Sequence, residues 1–98
     1  MVTERITHLE INYLDASAAV KLVLDEPGSD RVKKYFDGHG GFHITSLCFT
    51  EALGVLKRKW QSKQIISMKD YLDKCYRLLA LVRGKPKRIL LDDTQLSD

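Results

Sequence analysis

Residues 10–24, with the sequence EINYLDASAAVKLVL, decide the fold class of this chain. Residues 10–14 form a short segment rich in β-forming side chains, so they predict a strand. Ser17 follows three residues later and is a suitable N-cap for a helix. Val20 and Val23 recur at helical spacing, which predicts an amphipathic helix directly after the strand. A strand that leads straight into a helix is typical of α/β proteins.

Two more strand segments follow further along the chain, and the first of them again leads into a helix. Residues 42–45 (FHIT) and 88–91 (RILL) predict two more strands, and Ser46 is the expected N-cap of the helix after the second strand. Two helical patterns lie between each predicted strand and the next, which gives the order β-α-α-β-α-α-β. Strands separated by helices predict parallel pairing with right-handed crossovers. We therefore predict one α/β domain over residues 1–98, with a short parallel sheet flanked by about four helices.

Composition excludes several classes of protein. The chain has 98 residues and 16 Lys and Arg against 13 Asp and Glu, so its net charge is 16 − 13 = +3. A hydrophobic fraction of 44% and a charged fraction of 30% exclude intrinsic disorder. No apolar run approaches the ~20 residues that cross a bilayer, and the first ten residues have no apolar core of a signal peptide. We therefore predict a cytoplasmic protein without a membrane segment, with its two cysteines as free thiols.

Two carboxylates are the sharpest candidates for chemistry. Asp15 directly follows the first predicted strand, and Glu51 lies in the helix after the second. Ligands of parallel sheets bind at the carboxyl ends of the strands, and carboxylate oxygens are preferred by Mg²⁺ and Mn²⁺. The alternative is that Asp15 only favours the helix start and that Glu51 is a solvated surface residue.

Four sequence blocks together resemble one known family. They are YLDASAAVKL at 13–22, DEPGS at 25–29, ITS at 44–46 and EALGVLKRK at 51–59. These blocks closely resemble the PIN-domain family, and the nearest kin look like VapC-type toxin ribonucleases. The resemblance covers residues 11–82. It implies a three-layer α/β sandwich that cuts RNA with the help of Mg²⁺ or Mn²⁺, of which this chain is the N-terminal two-thirds, incomplete at the C-terminus.

The resemblance also implies roles for particular residues. Asp15 matches the first metal-binding aspartate, Ser17 the hydroxyl residue that supports it, and Glu51 the second acidic position. The later acids of the family have no match here, and the three aspartates of residues 92–98 are poor candidates for them. Phosphodiester cleavage by such a site needs three or four carboxylates. We therefore expect a ribonuclease that is incomplete or inactive as this chain alone, with a homodimer and an antitoxin protein as the partners that the resemblance implies.

Basic residues and the thin sheet leave alternatives open. One role expected of the basic residues is to contact a phosphate backbone. The alternative role is to complement the dipoles of the helices they end. These residues are Lys57, Arg58, Arg83, Lys85, Lys87 and Arg88.

A sheet of two or three strands has an exposed edge, which another chain or further sequence past Asp98 would cover. The alternative function is a non-catalytic PIN-like module that dimerises or binds a partner, and a weaker one is a different α/β domain.

Overall fold

A computed structural model of the protein describes residues 12–94. The strands and helices alternate in the predicted order, and we number each kind along the chain. The strands are β1 (Asn12–Tyr13), β2 (Phe42–Ile44) and β3 (Ile89–Leu91). The helices are α1 (Ala16–Val23), α2 (Ser29–Gly38), α3 (Ser46–Gln61) and α4 (Met68–Arg83). The predicted α/β class is confirmed, and residues 10 and 11 of the first predicted strand lie outside the described residues.

Helix starts differ from the predicted ones by one or two residues. Asp15, not Ser17, is the N-cap of α1, because the Asp15 carboxylate accepts a hydrogen bond from the Ala18 N–H at 2.8 Å. Thr45 rather than Ser46 caps α3 in the same way. Several adjacent residues in these segments have side chains that can cap a helix. The backbone conformation at each position decides which of them becomes the N-cap, and helix-capping propensity alone does not specify that conformation.

The three strands form one parallel sheet in the order β1-β2-β3. Tyr13 is paired with His43, and His43 with Leu90. Because side chains alternate along a strand, these three residues share one face of the sheet. Phe42 and Ile89 are also register partners and lie on the opposite face.

Helices cover only one face of the described sheet. Phe42, Ile44 and Ile89 are almost fully buried on that face, where the Phe42 ring lies 4.7 Å from the ring of Phe36 in α2. On the opposite face Tyr13 and Leu90 remain exposed. A strand order that follows chain order places right-handed crossovers on one side, which explains this arrangement. Residues 12–94 therefore form helices over one sheet face, and the third layer of the expected sandwich is not made by them.

The core lies between the sheet and the helices. Its fully buried large side chains include Val20 of α1, Leu56 of α3 and Leu78 of α4. Burying one such aliphatic side chain contributes about 1.5–3 kcal/mol, so these contacts hold the helices on the sheet. None of the helices in the described part of the chain is long and apolar enough to cross a membrane.

Candidate functional site at the carboxyl edge of the sheet

The carboxyl ends of the three strands meet at one edge, which we call the carboxyl edge. Asp15 stands two residues after β1, Ser46 two residues after β2, and Asp92 and Asp93 directly after β3. Because the strands are parallel, all of these residues lie at the same side of the sheet. The edge therefore collects three carboxylates from segments that are far apart in the sequence.

Asp15 uses one carboxylate oxygen and leaves the other available. Oδ1 accepts hydrogen bonds from the Ala18 N–H at 2.8 Å and from the Ser17 hydroxyl at 3.1 Å. Within residues 12–94, no hydrogen bond or ion pair engages Oδ2, and the residue is exposed. Ser17 thus fixes the carboxylate through one oxygen while the second faces no competing donor. This is the arrangement of a carboxylate that can take a cation.

Glu51 lies on the exposed surface of α3, five residues after the start of the helix at Ser46. At a rise of about 1.5 Å per residue, it stands about 7 Å along the helix from the carboxyl edge. No ion pair or hydrogen bond joins its side chain to another described residue. Its carboxylate is therefore unengaged, which suits either a cation ligand or a solvated surface residue.

Asp93 joins the end of β3 to the start of α3. Its carboxylate accepts the Ser46 N–H at 2.6 Å and the Ser46 hydroxyl at 2.9 Å. The first N–H groups of a helix have no partner within the helix, so Asp93 satisfies one of them and places negative charge at the positive end of the helix dipole. Both Asp93 oxygens are used in this contact.

Asp92 forms the most connected group of the edge. Its carboxylate accepts hydrogen bonds from the Thr94 backbone N–H and hydroxyl, from the Tyr13 hydroxyl at 3.1 Å and from His43 Nδ1 at 3.0 Å. The Thr94 bonds, followed by those from Tyr13 and His43, lower the pKa of Asp92 well below its usual range. The pKa of Tyr13 is raised by partial burial and by the neighbouring Asp92 carboxylate. Asp92 therefore stays ionised, and it accepts hydrogen bonds from the face of the sheet that carries Tyr13 and His43.

These placements limit what the edge can hold. Within residues 12–94, no group of three or more His, Cys, Asp or Glu side chains is arranged so that it could hold a metal ion. The carboxylate oxygens of Asp92 and Asp93 accept hydrogen bonds from protein donors, so among these four acids only Asp15 and Glu51 keep unengaged oxygens within residues 12–94. Mg²⁺ commonly binds through one or two carboxylates and keeps several waters. At and near this edge, the described residues therefore offer two carboxylates with unengaged oxygens, and not a group of three, as possible cation ligands.

Most of the predicted RNA-contacting residues are not close to Asp15. Arg88 directly precedes β3, which places it at the amino edge of the sheet, opposite Asp15. Its guanidinium lies 4.3 Å over the ring of Phe36 and 3.5 Å from the Asp37 carboxylate. Arg83, Lys85 and Lys87 are exposed on the same side of the sheet as Arg88. Lys57 and Arg58 are exposed in the last turns of α3.

An apolar groove lies between α3 and α4. Its volume is about 280 Å³. Apolar side chains and one thiol line it: Phe49, Leu53, Leu72, Cys75, Tyr76 and Leu79. Leu72 is 47% exposed and Tyr76 is 72% exposed, which is unusual for large side chains on neighbouring turns. The groove can receive an apolar surface of another molecule.

Comparisons with protein-family models, with curated proteins and with solved structures find no match for this chain. The resemblance to PIN domains therefore rests on the four sequence blocks alone.

Sequence reasoning missed the structural use of Asp92 and Asp93. From the sequence they are only poor candidates for the later metal ligands of the family, whereas in the structure they bind the start of α3 and the side chains on β1 and β2. One available signal was their position directly after the third strand, at the same edge as Asp15 and Ser46. Which donors they meet depends on strand register, which no local pattern contains.

Proposed function

We propose that this chain carries part of a PIN-like, Mg²⁺- or Mn²⁺-dependent ribonuclease site that acts on RNA in the cytoplasm. The observation that supports it best is Asp15, whose Oδ1 is fixed by Ser17 while its Oδ2 is unengaged at the end of β1. Asp15 and Glu51 would hold the cation, and Ser17 would orient Asp15. A bound cation of this kind supplies charge stabilisation for phosphodiester cleavage. With two free carboxylates, we expect the chain alone to hydrolyse RNA inefficiently.

Calorimetric titration with Mn²⁺ tests this proposal. Asp15→Asn is the informative variant, because Asn caps a helix about as well as Asp and the start of α1 is preserved. We expect Mn²⁺ affinity to fall by about tenfold or more, since one of two carboxylate ligands is lost. Asp30→Asn is the matched control: it removes the same charge from the first turn of α2 and should leave the affinity unchanged.

Two outcomes of that titration would contradict the metal site. Equal losses in Asp15→Asn and Asp30→Asn would show nonspecific attraction of the cation to net charge. Undetectable binding by the unmodified chain would show that Asp15 and Glu51 are insufficient to bind Mn²⁺.

If Mn²⁺ binds through Asp15, a fluorogenic single-stranded RNA assay with and without EDTA measures the remaining cleavage. Because Arg83, Lys85 and Lys87 lie away from Asp15, we propose that they contact the RNA backbone outside the cleavage position, so RNA binding should weaken as salt rises.

The groove between α3 and α4 favours a second candidate function, a non-catalytic module that binds a partner. A second copy of this chain is the partner we propose for this surface, and an antitoxin protein is the alternative. The observation behind it is the exposure of Leu72 and Tyr76 beside a groove that is almost wholly apolar. Burial of such a patch is favourable by about 25 cal/mol per Å².

Sedimentation velocity of the unmodified chain and of Leu72→Glu tests the dimer. We expect the unmodified chain to associate as its concentration rises and Leu72→Glu to remain a monomer, because an unpaired charge would be buried in the interface. Leu90→Glu is the control, since Leu90 is similarly exposed but lies on the sheet face. A monomer at all concentrations, or equal weakening by both substitutions, would exclude the groove as the dimer interface.

A further inference from the structure

A small pocket lies among α1, α2, α4 and the residue that precedes β3, and we call it the Arg88 pocket. Its volume is about 230 Å³. Three apolar and three charged side chains line it: Leu22, Phe36, Leu81, Lys33, Asp37 and Arg88. No sheet edge forms any of its walls, because three helices and one loop residue supply them all. Sites that enclose a whole drug-sized ligand measure about 300–1,000 Å³, so this pocket suits a single flat ring.

The Arg88 guanidinium is held flat against the protein. Its central carbon lies 4.3 Å from the centroid of the Phe36 ring, which is within the range of cation–π contacts. One guanidinium nitrogen lies 3.5 Å from Asp37 Oδ1, and the Arg88 backbone N–H donates to the Leu81 carbonyl at 3.0 Å. The Arg88 side chain is nevertheless 44% exposed. The guanidinium is therefore positioned before a ligand arrives and is still accessible to one, which lowers the cost of binding.

Positive charge prevails around this guanidinium. Lys33 lines the pocket, and within residues 12–94 its ammonium group forms no ion pair or hydrogen bond. Asp37 is the one carboxylate in the lining, against the two cations of Lys33 and Arg88. The loop at 83–88, with the sequence RGKPKR, adds three more cationic side chains and no acidic one. The pocket and its surroundings therefore attract an anion.

A flat cation beside apolar walls and free positive charge matches a nucleotide. Unpaired RNA bases stack on aromatic rings and on Arg guanidinium planes, and Lys and Arg side chains neutralise the phosphates between them. An acidic side chain or a lipid headgroup would use the charges of Lys33 and Arg88 but would leave the apolar walls at Leu22 and Leu81 without a ring to contact. The pocket therefore favours a nucleic acid strand over these other anions.

We propose that the Arg88 pocket binds one unpaired nucleotide of single-stranded RNA, with the base against the accessible side of Arg88 and a neighbouring phosphate on Lys33. The choice of RNA rests on the proposed function, whereas the pocket shares no residue with the proposed metal site. Arg88 lies at the end of the sheet opposite Asp15, so the pocket holds the strand away from the cleavage position. Bases of a duplex are stacked and paired, so this contact selects single strands.

Fluorescence anisotropy of the full chain with two labelled decamers tests the proposal. The probe is an adenosine RNA decamer, and its partner is an abasic ribose-phosphate decamer of the same charge. EDTA is present throughout, so the result does not depend on the metal site. We expect the adenosine decamer to bind about fivefold or more tightly, because it alone offers bases to Arg88. A deoxyadenosine decamer separates DNA from RNA as the source of the nucleotide, and its tighter binding would contradict an RNA ligand.

Arg88→Lys separates stacking from charge. This variant keeps the positive charge and removes the planar group, so the preference for the adenosine decamer should fall by about fivefold. Its affinity for the abasic decamer should remain that of the unmodified chain, a result that a misfolded protein could not give. Asp15→Asn should bind the adenosine decamer as the unmodified chain does, which separates a failure of this proposal from a failure of the metal site.

Lys33→Gln tests the phosphate contact. Both decamers should bind more weakly, and the slope of log affinity against log salt concentration should become shallower by about 0.7, since one phosphate contact is lost. Lys69→Gln is the matched control. Lys69 is exposed in the first turn of α4, at the end of that helix far from Leu81, so the slope should stay unchanged.

Four results would overturn the proposal. Equal affinity of the unmodified chain for the adenosine and abasic decamers would show attraction of any polyanion to net charge, without a site for a base. Arg88→Lys that keeps the preference for adenosine would exclude stacking on the guanidinium. Equal changes of the salt slope in Lys33→Gln and Lys69→Gln would remove the phosphate contact, and no binding of either decamer at about 1 mM protein would remove the site.

Discussion

The acidic residues around the carboxyl edge of the sheet fall into two pairs that differ in how their oxygens are used. The carboxylates of Asp92 and Asp93 accept hydrogen bonds from protein donors at the start of α3 and on β1 and β2. Asp15 keeps one oxygen unengaged, and Glu51 forms no hydrogen bond with another described residue. A carboxylate saturated by protein donors stabilises the fold, whereas one with a free oxygen can take a cation. The first pair should therefore matter for stability and the second for binding.

Replacing Asp92 should produce the largest loss of stability among the four acids. Asp92→Ala leaves the Tyr13 hydroxyl, His43 Nδ1 and the Thr94 donors without their acceptor, and an unsatisfied polar group destabilises the folded state. We expect its melting temperature to be the lowest of the set Asp92→Ala, Asp93→Ala, Asp15→Asn and Glu51→Gln. Thermal unfolding followed by circular dichroism provides the measurement.

Asp92→Asn is the matched control for that loss. Its amide oxygen keeps one acceptor for these donors, so its melting temperature should lie between those of Asp92→Ala and the unmodified chain. An Asp92→Ala protein that melts at the same temperature as the unmodified chain would mean that the network contributes nothing to stability, and the contrast between the two pairs would be lost.

Acid should weaken the fold through the same carboxylate. The pKa of Asp92 is lower in the folded protein than in the unfolded chain, where it is about 3.9. Its contribution is therefore complete above about pH 5 and is lost as the pH falls toward the lower folded pKa. Urea unfolding at about pH 5 and at about pH 2.5 should show a drop in the free energy of unfolding. The drop should be smaller in Asp92→Asn, and equal drops in the two proteins would assign the acid sensitivity to other groups.

Local patterns predicted the elements of this fold but not the contacts of the edge. The two valines of residues 16–23 and the strand segments at 42–44 and 89–91 follow from periodicity and β propensity. The bond from Tyr13 to Asp92 spans 79 positions in the sequence, and the bond from Ser46 to Asp93 spans 47. Such contacts depend on which strands become neighbours and in what register, which is decided by the packing of the whole core.

Neutralising the second pair should change stability least, and this small effect makes the metal test interpretable. Asp15→Asn keeps the helix cap, and Glu51→Gln alters an exposed side chain that contacts no described partner. Surface changes of this kind usually alter the free energy of unfolding by less than about 0.5 kcal/mol. Urea unfolding without metal measures the effect, and 1 mM EDTA serves as the matched condition. A loss well above this range in Glu51→Gln would show that Glu51 supports the fold, and its weaker Mn²⁺ binding could not then be read as loss of a ligand.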